Sequence, residues 1–160
     1  MDRNSVLVSL KEASIELINK FGKKVVALGL FGSVARDEAS DRSDVDVIVI
    51  IRDWRPGLER RRQVYEVLHK HVKRDVTLID VDYETALEII QSKRSISATM
   101  LNIIYDCIIV HDPENILTRL KDTVNKVIKS WGLIRVKSGR AYYWVRKDGK
   151  PLVTMVRKDV

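Results

Sequence analysis

The hydrophobic positions fall into runs of two kinds, and their alternation along the chain lays out the fold. Residues 5 to 21 place Val6, Leu7, Leu10, Leu17, Ile18 and Phe21 on one face of a helix, with Ser14 as a gap in the stripe. Gly22 stops that helix, and Lys23 and Lys24 follow at its negative end. "VVALGLF", Val25 to Phe31, is apolar almost throughout, as in a strand covered on both faces. A Gly32-Ser33 turn and a short helix, "VARDEAS", lead into a second strand, "DVDVIVII", Asp44 to Ile51. Pro56 fits the first turn of a helix running to about Lys73, with Val64, Tyr65, Leu68 and Val72 along its apolar side. "DVTLIDV", Asp75 to Val81, is the third strand. Asp82 can cap "YETALEIIQSK", Ser95 can cap a helix through Ile104, and "YDCIIVH" reads as a short strand. Asp112 and Pro113 open the last helix, lined by Ile116, Leu120, Val124, Val127 and Trp131, and Gly132 ends it.

The order α-β-α-β-α-β-α-α-β-α predicts an α/β (α+β) fold, a small mixed sheet flanked by helices. The tail has a different rhythm. "AYYWVRKDGKPLVTMV" predicts a C-terminal β-hairpin turning at Asp148-Gly149, with Pro151 facing Arg146 in a pair that needs no N–H. Two units are therefore expected, a domain over residues 1–132 and a hairpin appendage over residues 133–160. Both hairpin faces carry apolar side chains: Tyr142, Trp144, Val153 and Met155 on one, Tyr143, Val145, Leu152 and Val156 on the other. Two strands alone are marginally stable, so at least one face must be covered, by the domain or by another chain such as a second copy.

Composition narrows the class. With 160 residues, 45% hydrophobic and 32% charged, the chain can bury an ordinary core. Its apolar runs are too short to span a bilayer, and its start lacks a signal-peptide pattern, so a soluble, cytoplasmic protein is expected. The single cysteine, Cys107, rules out an intrachain disulfide and reads as a buried strand thiol. His69, His71 and His111 make no ligand pattern, and the run Arg60 to Arg62 reads as a solvated helix face. The net charge of +7 suits polyanionic partners, nucleotides or nucleic acid. Residues 135 to 160 hold eight basic and two acidic side chains, most of that excess. The basic, aromatic hairpin could hold nucleic acid, although packing on the domain is the preferred reading.

Candidate chemistry gathers in residues 28 to 51. Side chains alternate along a strand, so Asp44 and Asp46 point the same way. Two adjacent carboxylates repel unless a cation lies between them, and a hard divalent ion such as Mg²⁺ prefers oxygen ligands shared with phosphate. Just upstream, Gly32 allows close backbone approach, and Ser33 opens a helix whose free N–H groups suit phosphate. Arg36 could neutralise phosphate charge. Asp75, opening the third strand, would complete a two-metal site or serve as base if that strand lies beside the second. Asp80 and Asp82 fall at the opposite end of that strand. The chemistry matches a nucleoside triphosphate with Mg²⁺, attacked in line at its α-phosphorus.

"FGSVARDEASDRSDVDVIVI" resembles the DNA polymerase beta-type nucleotidyltransferase superfamily, in particular the small prokaryotic, or minimal, nucleotidyltransferase domains. The family pattern is Gly-Ser, an Arg-containing helix, then Ser-Asp-x-Asp before an apolar strand, with a third acid on a later strand. Here those positions are Gly32-Ser33, Arg36, Ser43-Asp44-Val45-Asp46 and Asp75, with ten residues between Ser33 and Asp44. Asp37 departs from the Gly that many relatives carry after the Arg. The resemblance covers roughly residues 5 to 130. It implies the polymerase beta-type fold and transfer of an NMP, AMP foremost, from an NTP to a protein, small-molecule or RNA acceptor. It implies Asp44, Asp46 and Asp75 as catalytic metal ligands for two Mg²⁺ ions, or Mn²⁺. It implies Gly32, Ser33, Arg36 and Ser43 as nucleotide-binding residues. Many such domains pair with an all-helical HEPN-type partner as antitoxins, so an antitoxin acting mainly by contact is the alternative function.

Overall fold

The buried runs become the strands they predict. The computed structural model describes residues 2–150; the expected hairpin arm with Pro151, Leu152, Val153, Met155 and Val156 lies outside them. Strands β1 (Val25–Phe31), β2 (Val45–Ile51), β3 (Val76–Asp82) and β4 (Ile108–His111) form one sheet in the order β3-β2-β1-β4. β2 runs parallel to β3 and antiparallel to β1, and β4 is antiparallel to β1, so the sheet is mixed as expected. β2 is central and every residue in it but Asp46 is buried, which is why its sequence is otherwise apolar.

The two faces of the sheet carry separate cores. Val45, Val47, Val49 and Ile51 of β2 pack with Leu10, Leu17, Val64 and Leu68 from α1 (Arg3–Phe21) and α3 (Leu58–Val72). Ile48 and Ile50 pack on the other face with Leu101, Ile104, Leu120 and Val124. Those residues come from α5 (Ala98–Asp106) and α6 (Ile116–Trp131), joined there by α4 (Tyr83–Ile90). Asp46 has the parity of Ile48 and Ile50, so it belongs to the second face. No helix among the described residues is long and apolar enough to cross a membrane.

Several ends move from their expected places. α5 is capped by Ser97, whose hydroxyl accepts from Met100 N at 3.1 Å, and it continues through Tyr105 and Asp106. Cys107 therefore ends a helix rather than lying in a strand; it is buried, and burial pushes its thiol up to about 12. Asp112 does cap α6, but from a distance: its carboxylate accepts from Leu117 N at 3.2 Å and Thr118 N at 2.9 Å. Arg60 corrects the reading of the Arg60–Arg62 run. Its side chain is 2% exposed and donates to Asp80 at 2.8 Å, Asp82 at 2.6 Å and the Trp54 carbonyl at 2.8 Å. Two carboxylates at the far end of β3 need a buried counter-charge, and the planar guanidinium supplies several directed donors. Arg62 remains on the solvated face, pairing with Glu59 and Glu66.

The C-terminal hairpin exists with different arms. β5 (Leu133–Ser138) pairs with β6 (Ala141–Arg146) in antiparallel register through a Gly139-Arg140 turn. The chain also turns at Lys147-Asp148, one residue before the expected Asp148-Gly149, where Gly149 N donates to Arg146 O at 3.1 Å. As expected from alternation, Tyr142 and Trp144 face inward while Tyr143 and Val145 stay exposed. Leu133 and Trp144 enter the second core, so the hairpin is packed on the α4–α6 face.

Gly29 sets how closely α5 approaches β1. A Cβ there would lie 2.3 Å from Cys107 Sγ and 3.3 Å from Ile48 Cγ2. Gly29→Ala is expected to destabilise the protein by about 1–3 kcal/mol in urea unfolding. The same substitution should cost less in a Cys107→Ala background, and an equal cost in both would contradict this packing.

Candidate active site

Antiparallel pairing of β1 with β2 brings the Gly-Ser turn to the acids. Phe31 is in register with Asp46, so Gly32, the next residue, lies over the Asp46 carboxylate. Gly32 has φ +74, and a Cβ on it would fall 2.0 Å from Asp46 Oδ2. Any side chain at Gly32 would be strained in its backbone and would displace the carboxylate.

The turn opens α2 (Gly32–Ala35), a single helical turn rather than the longer helix the sequence suggests. Arg36 ends it, and Asp37 follows at φ +61. Asp37 N donates to Val34 O at 3.1 Å and Glu38 N to Ser33 O at 2.8 Å, which closes the turn in the way a glycine usually does. The Asp37 departure therefore keeps the backbone path, because Asp tolerates the left-handed region better than most side chains. One turn adds little dipole, so attraction for an anion falls to backbone amides and basic side chains.

Asp44 and Asp46 stand on one side of the mouth of β2. Among the described residues neither has an ion-pair partner. Thr77, in register with Asp46 on β3, donates its hydroxyl to Asp44 Oδ2 at 3.2 Å. Burial first, and the charge of Asp44 second, raise the Asp46 carboxyl above its ordinary range, while Thr77 and Arg36 oppose the shift. Asp75 has the same parity as Thr77 but precedes β3. Its carbonyl accepts from Val45 N at 2.9 Å and its side chain is exposed. No group of three or more Asp, Glu, His or Cys side chains suited to a metal ion forms among the described residues. The donors present are oxygens: two unpaired carboxylates with a hydroxyl between them. That set fits a hard divalent ion.

The walls around these acids come largely from residues the motif does not contain. One cavity of about 370 Å³ is bordered by Gly32 and Thr77, with Phe31, Ile79, Ile103 and Tyr142 among its other walls. A second, also about 370 Å³, is lined by the hydroxyls of Ser33, Ser40 and Ser43 and by Glu38, Lys137 and Arg140. Arg36 and Arg140 border both. Ser43 Oγ accepts from Ser40 N at 3.0 Å, and Arg74 donates to the Ser43 carbonyl at 2.8 Å, which fixes the loop before Asp44.

Arg36 is not a free cation. It donates to Asp106 Oδ2 at 2.7 Å and stacks on the Tyr142 ring at 4.6 Å. Arg135 grips the same carboxylate with two bonds, of 2.7 and 2.8 Å, and lies 4.2 Å from the centroid of the same Tyr142 ring. Asp106 sits at the C-terminal end of α5, where a negative charge is disfavoured unless cations offset it. Sequence periodicity did not mark Asp106, Arg135 or Tyr142 because their partners are remote in the chain. The only sequence signal was the cluster of basic and aromatic residues in the tail.

A family model described as "Polymerase beta, Nucleotidyltransferase" matches residues 12–100, more than half of the chain. Among solved structures, one of a toxin–antitoxin with AMP-PNP superposes with a TM-score of 0.51 at 16% identity, over 75% of this chain and 87% of that one. A mutant of the toxin–antitoxin MntA-HpeT gives a TM-score of 0.52 at 15% identity, with the same coverage. Both are likenesses of fold. No curated protein matches the chain.

The raised Asp46 carboxyl has a consequence for stability. Its folded pKa lies above its unfolded value, so stability from this group is present below the unfolded pKa and lost as pH rises through the folded one. At neutral pH without divalent ions, Asp46→Asn is therefore expected to raise the melting temperature, by about 2–4 °C. The gain should vanish at acidic pH. A lower melting temperature for the variant at pH 7 in chelator would contradict the repulsion described.

Proposed function

The chain belongs to the polymerase beta nucleotidyltransferase family, and from that premise we propose that it transfers an NMP, AMP foremost, from an NTP to an acceptor hydroxyl. The observation that carries this reading is the pair Asp44 and Asp46, unpaired by cations among the described residues, with Asp46 directly under the Gly32 backbone. A protein that needed only a binding surface would gain nothing from two neighbouring acids, one of them partly buried, at that place.

In this reading Asp44 and Asp46 hold one divalent ion. The ion, Mg²⁺ or Mn²⁺, would offset phosphate charge and make the α-phosphorus more electrophilic. Ser33, Ser43 and the backbone of the Gly32-Ser33 turn receive the triphosphate. Arg36, already oriented by Asp106, contributes positive potential to both cavities. The acceptor oxygen forms a bond to the α-phosphorus as the bond to the bridging oxygen of pyrophosphate breaks. Asp75, exposed on the same face, is the third acid: it takes the acceptor proton, or carries a second ion.

The acceptor is a protein, small molecule or RNA. The neighbour obtained as a toxin–antitoxin with AMP-PNP supports placing an adenosine nucleotide and a protein partner first. A helical partner of HEPN type would be the protein case. Neutralising such a partner by contact alone is the second reading, and it leaves the two acids unexplained.

Transfer of label from α-labelled NTPs, with Mg²⁺ and an acceptor source, tests the proposal. Asp44→Asn and Asp46→Asn should each lower the rate by roughly 10²-fold or more, and Asp75→Asn by about tenfold. Full activity in both of the first two variants would overturn it. Stable partner binding without transfer, unchanged by Asp44→Asn, would favour the contact reading.

A further inference from the structure

The hairpin brings charge to the site that the family motif does not supply. Its inner face is anchored to α5 by bonds that leave little freedom. Asn102 donates to the Tyr142 carbonyl at 3.0 Å and accepts from Trp144 Nε1 at 2.8 Å, so both ends of its amide are used. Trp144 meets Tyr105 edge-on at 5.1 Å, and Arg135 binds Asp106 through its two terminal nitrogens. Tyr142 reaches further and donates its hydroxyl to Glu38 at 2.5 Å, in the segment that leaves α2. Lys137 approaches the same Glu38 at 3.7 Å.

These anchors hold the hairpin tip, Lys137 to Arg140, over the serine-lined cavity. Arg140 borders that cavity and its neighbour, and no described residue forms an ion pair with it. The serine-lined cavity thus has three cations, Arg36, Lys137 and Arg140, against one carboxylate, Glu38, with Ser33, Ser40 and Ser43 also on its walls. The neighbouring cavity, bordered by Gly32 and Thr77, also has Arg36, Arg135 and Arg140 with Asp106 on its walls, but Phe31, Ile79, Ile103 and Tyr142 give it the apolar and aromatic surface that the serine-lined cavity lacks. One chamber suits a flexible polyanion, and the other suits a ribose and base.

We propose that Lys137 and Arg140 of the β5–β6 hairpin clamp the two terminal phosphates of the nucleoside triphosphate, making the hairpin part of the substrate site. The proposal rests on the nucleotidyltransferase reading above. The clamp selects for the triphosphate: its cations meet the β- and γ-phosphates and have no partner in a monophosphate. It also gives the appendage a function that needs no nucleic acid.

Equilibrium binding of a non-hydrolysable ATP analogue and of AMP, each with Mg²⁺, tests this on the full chain. The variants are Lys137→Met, Arg140→Met and the double change. Both side chains are exposed, so the fold should tolerate the changes. Each single change should weaken the triphosphate analogue on the order of tenfold, since each removes a charge-assisted contact. AMP affinity should stay the same, and the salt dependence of analogue binding should become shallower in the double variant. Unchanged analogue affinity in the double variant, with normal wild-type binding, would overturn the clamp alone. An equal loss for AMP and the analogue would also overturn it, because the contact would then not be with the terminal phosphates. Failure of the wild-type chain to bind any nucleotide would overturn the nucleotidyltransferase reading, and the clamp with it.

Discussion

Asp44 and Asp46 repel one another at the mouth of a buried strand, and no described cation pairs with either. Free energy is spent to keep them there: Asp46 is partly desolvated beside a like charge, and its carboxyl is pushed up. The fold holds them by other means. β2 is buried on both faces between β1 and β3, so a one-residue slip would exchange the side chains fitted to its two cores and turn Asp46 to the other face. Gly32 then closes over Asp46 with no room for a side chain. Local repulsion that the surrounding structure over-determines is the arrangement expected of a site built to receive a cation.

A second carboxylate, Asp106, organises the cations around that site. It lies at the end of α5 and is 6% exposed, yet it receives three donors from two arginines. Arg36 comes from the Gly-Ser turn and Arg135 from the hairpin, so one acid ties the motif to the appendage. Breaking one partner of such a buried set would leave charge uncompensated, which costs more than the pair contributes. The Tyr142 ring, against which both guanidiniums lie, completes the junction. The hairpin therefore has its position fixed by the same groups that line the cavities.

Much of this was legible in the sequence. The strand runs, the Gly22 and Gly132 stops, and the shared direction of Asp44 and Asp46 follow from periodicity and turn chemistry, which are local. Asp80 and Asp82 were rightly separated from the site, because strand direction alone puts them at the far end. The buried Arg60 was not legible: its neighbours are Arg61 and Arg62, and only the tertiary approach of β3 explains why it alone turns inward. β5 was missed because the facing of "LIRVKS" is inverted from what polarity suggests: Ile134 is exposed and Arg135 is half-buried. Its Arg135 turns inward because Asp106, 29 residues away in sequence, receives it, while Lys137 stays exposed beside Glu38. Thr77 was hidden for the same reason: register across a parallel pair, unlike alternation within a strand, is not written in either segment.

The most direct test of the account is where a divalent ion binds when nucleotide is present. A crystal of the chain grown with Mn²⁺ and a non-hydrolysable ATP analogue would show the ion by its anomalous scattering. The account predicts a peak between the Asp44 and Asp46 carboxylates, with the triphosphate running from it towards Ser33. Nucleotide bound away from the Gly32-Ser33 turn, or bound there with no ion at the two acids, would contradict it.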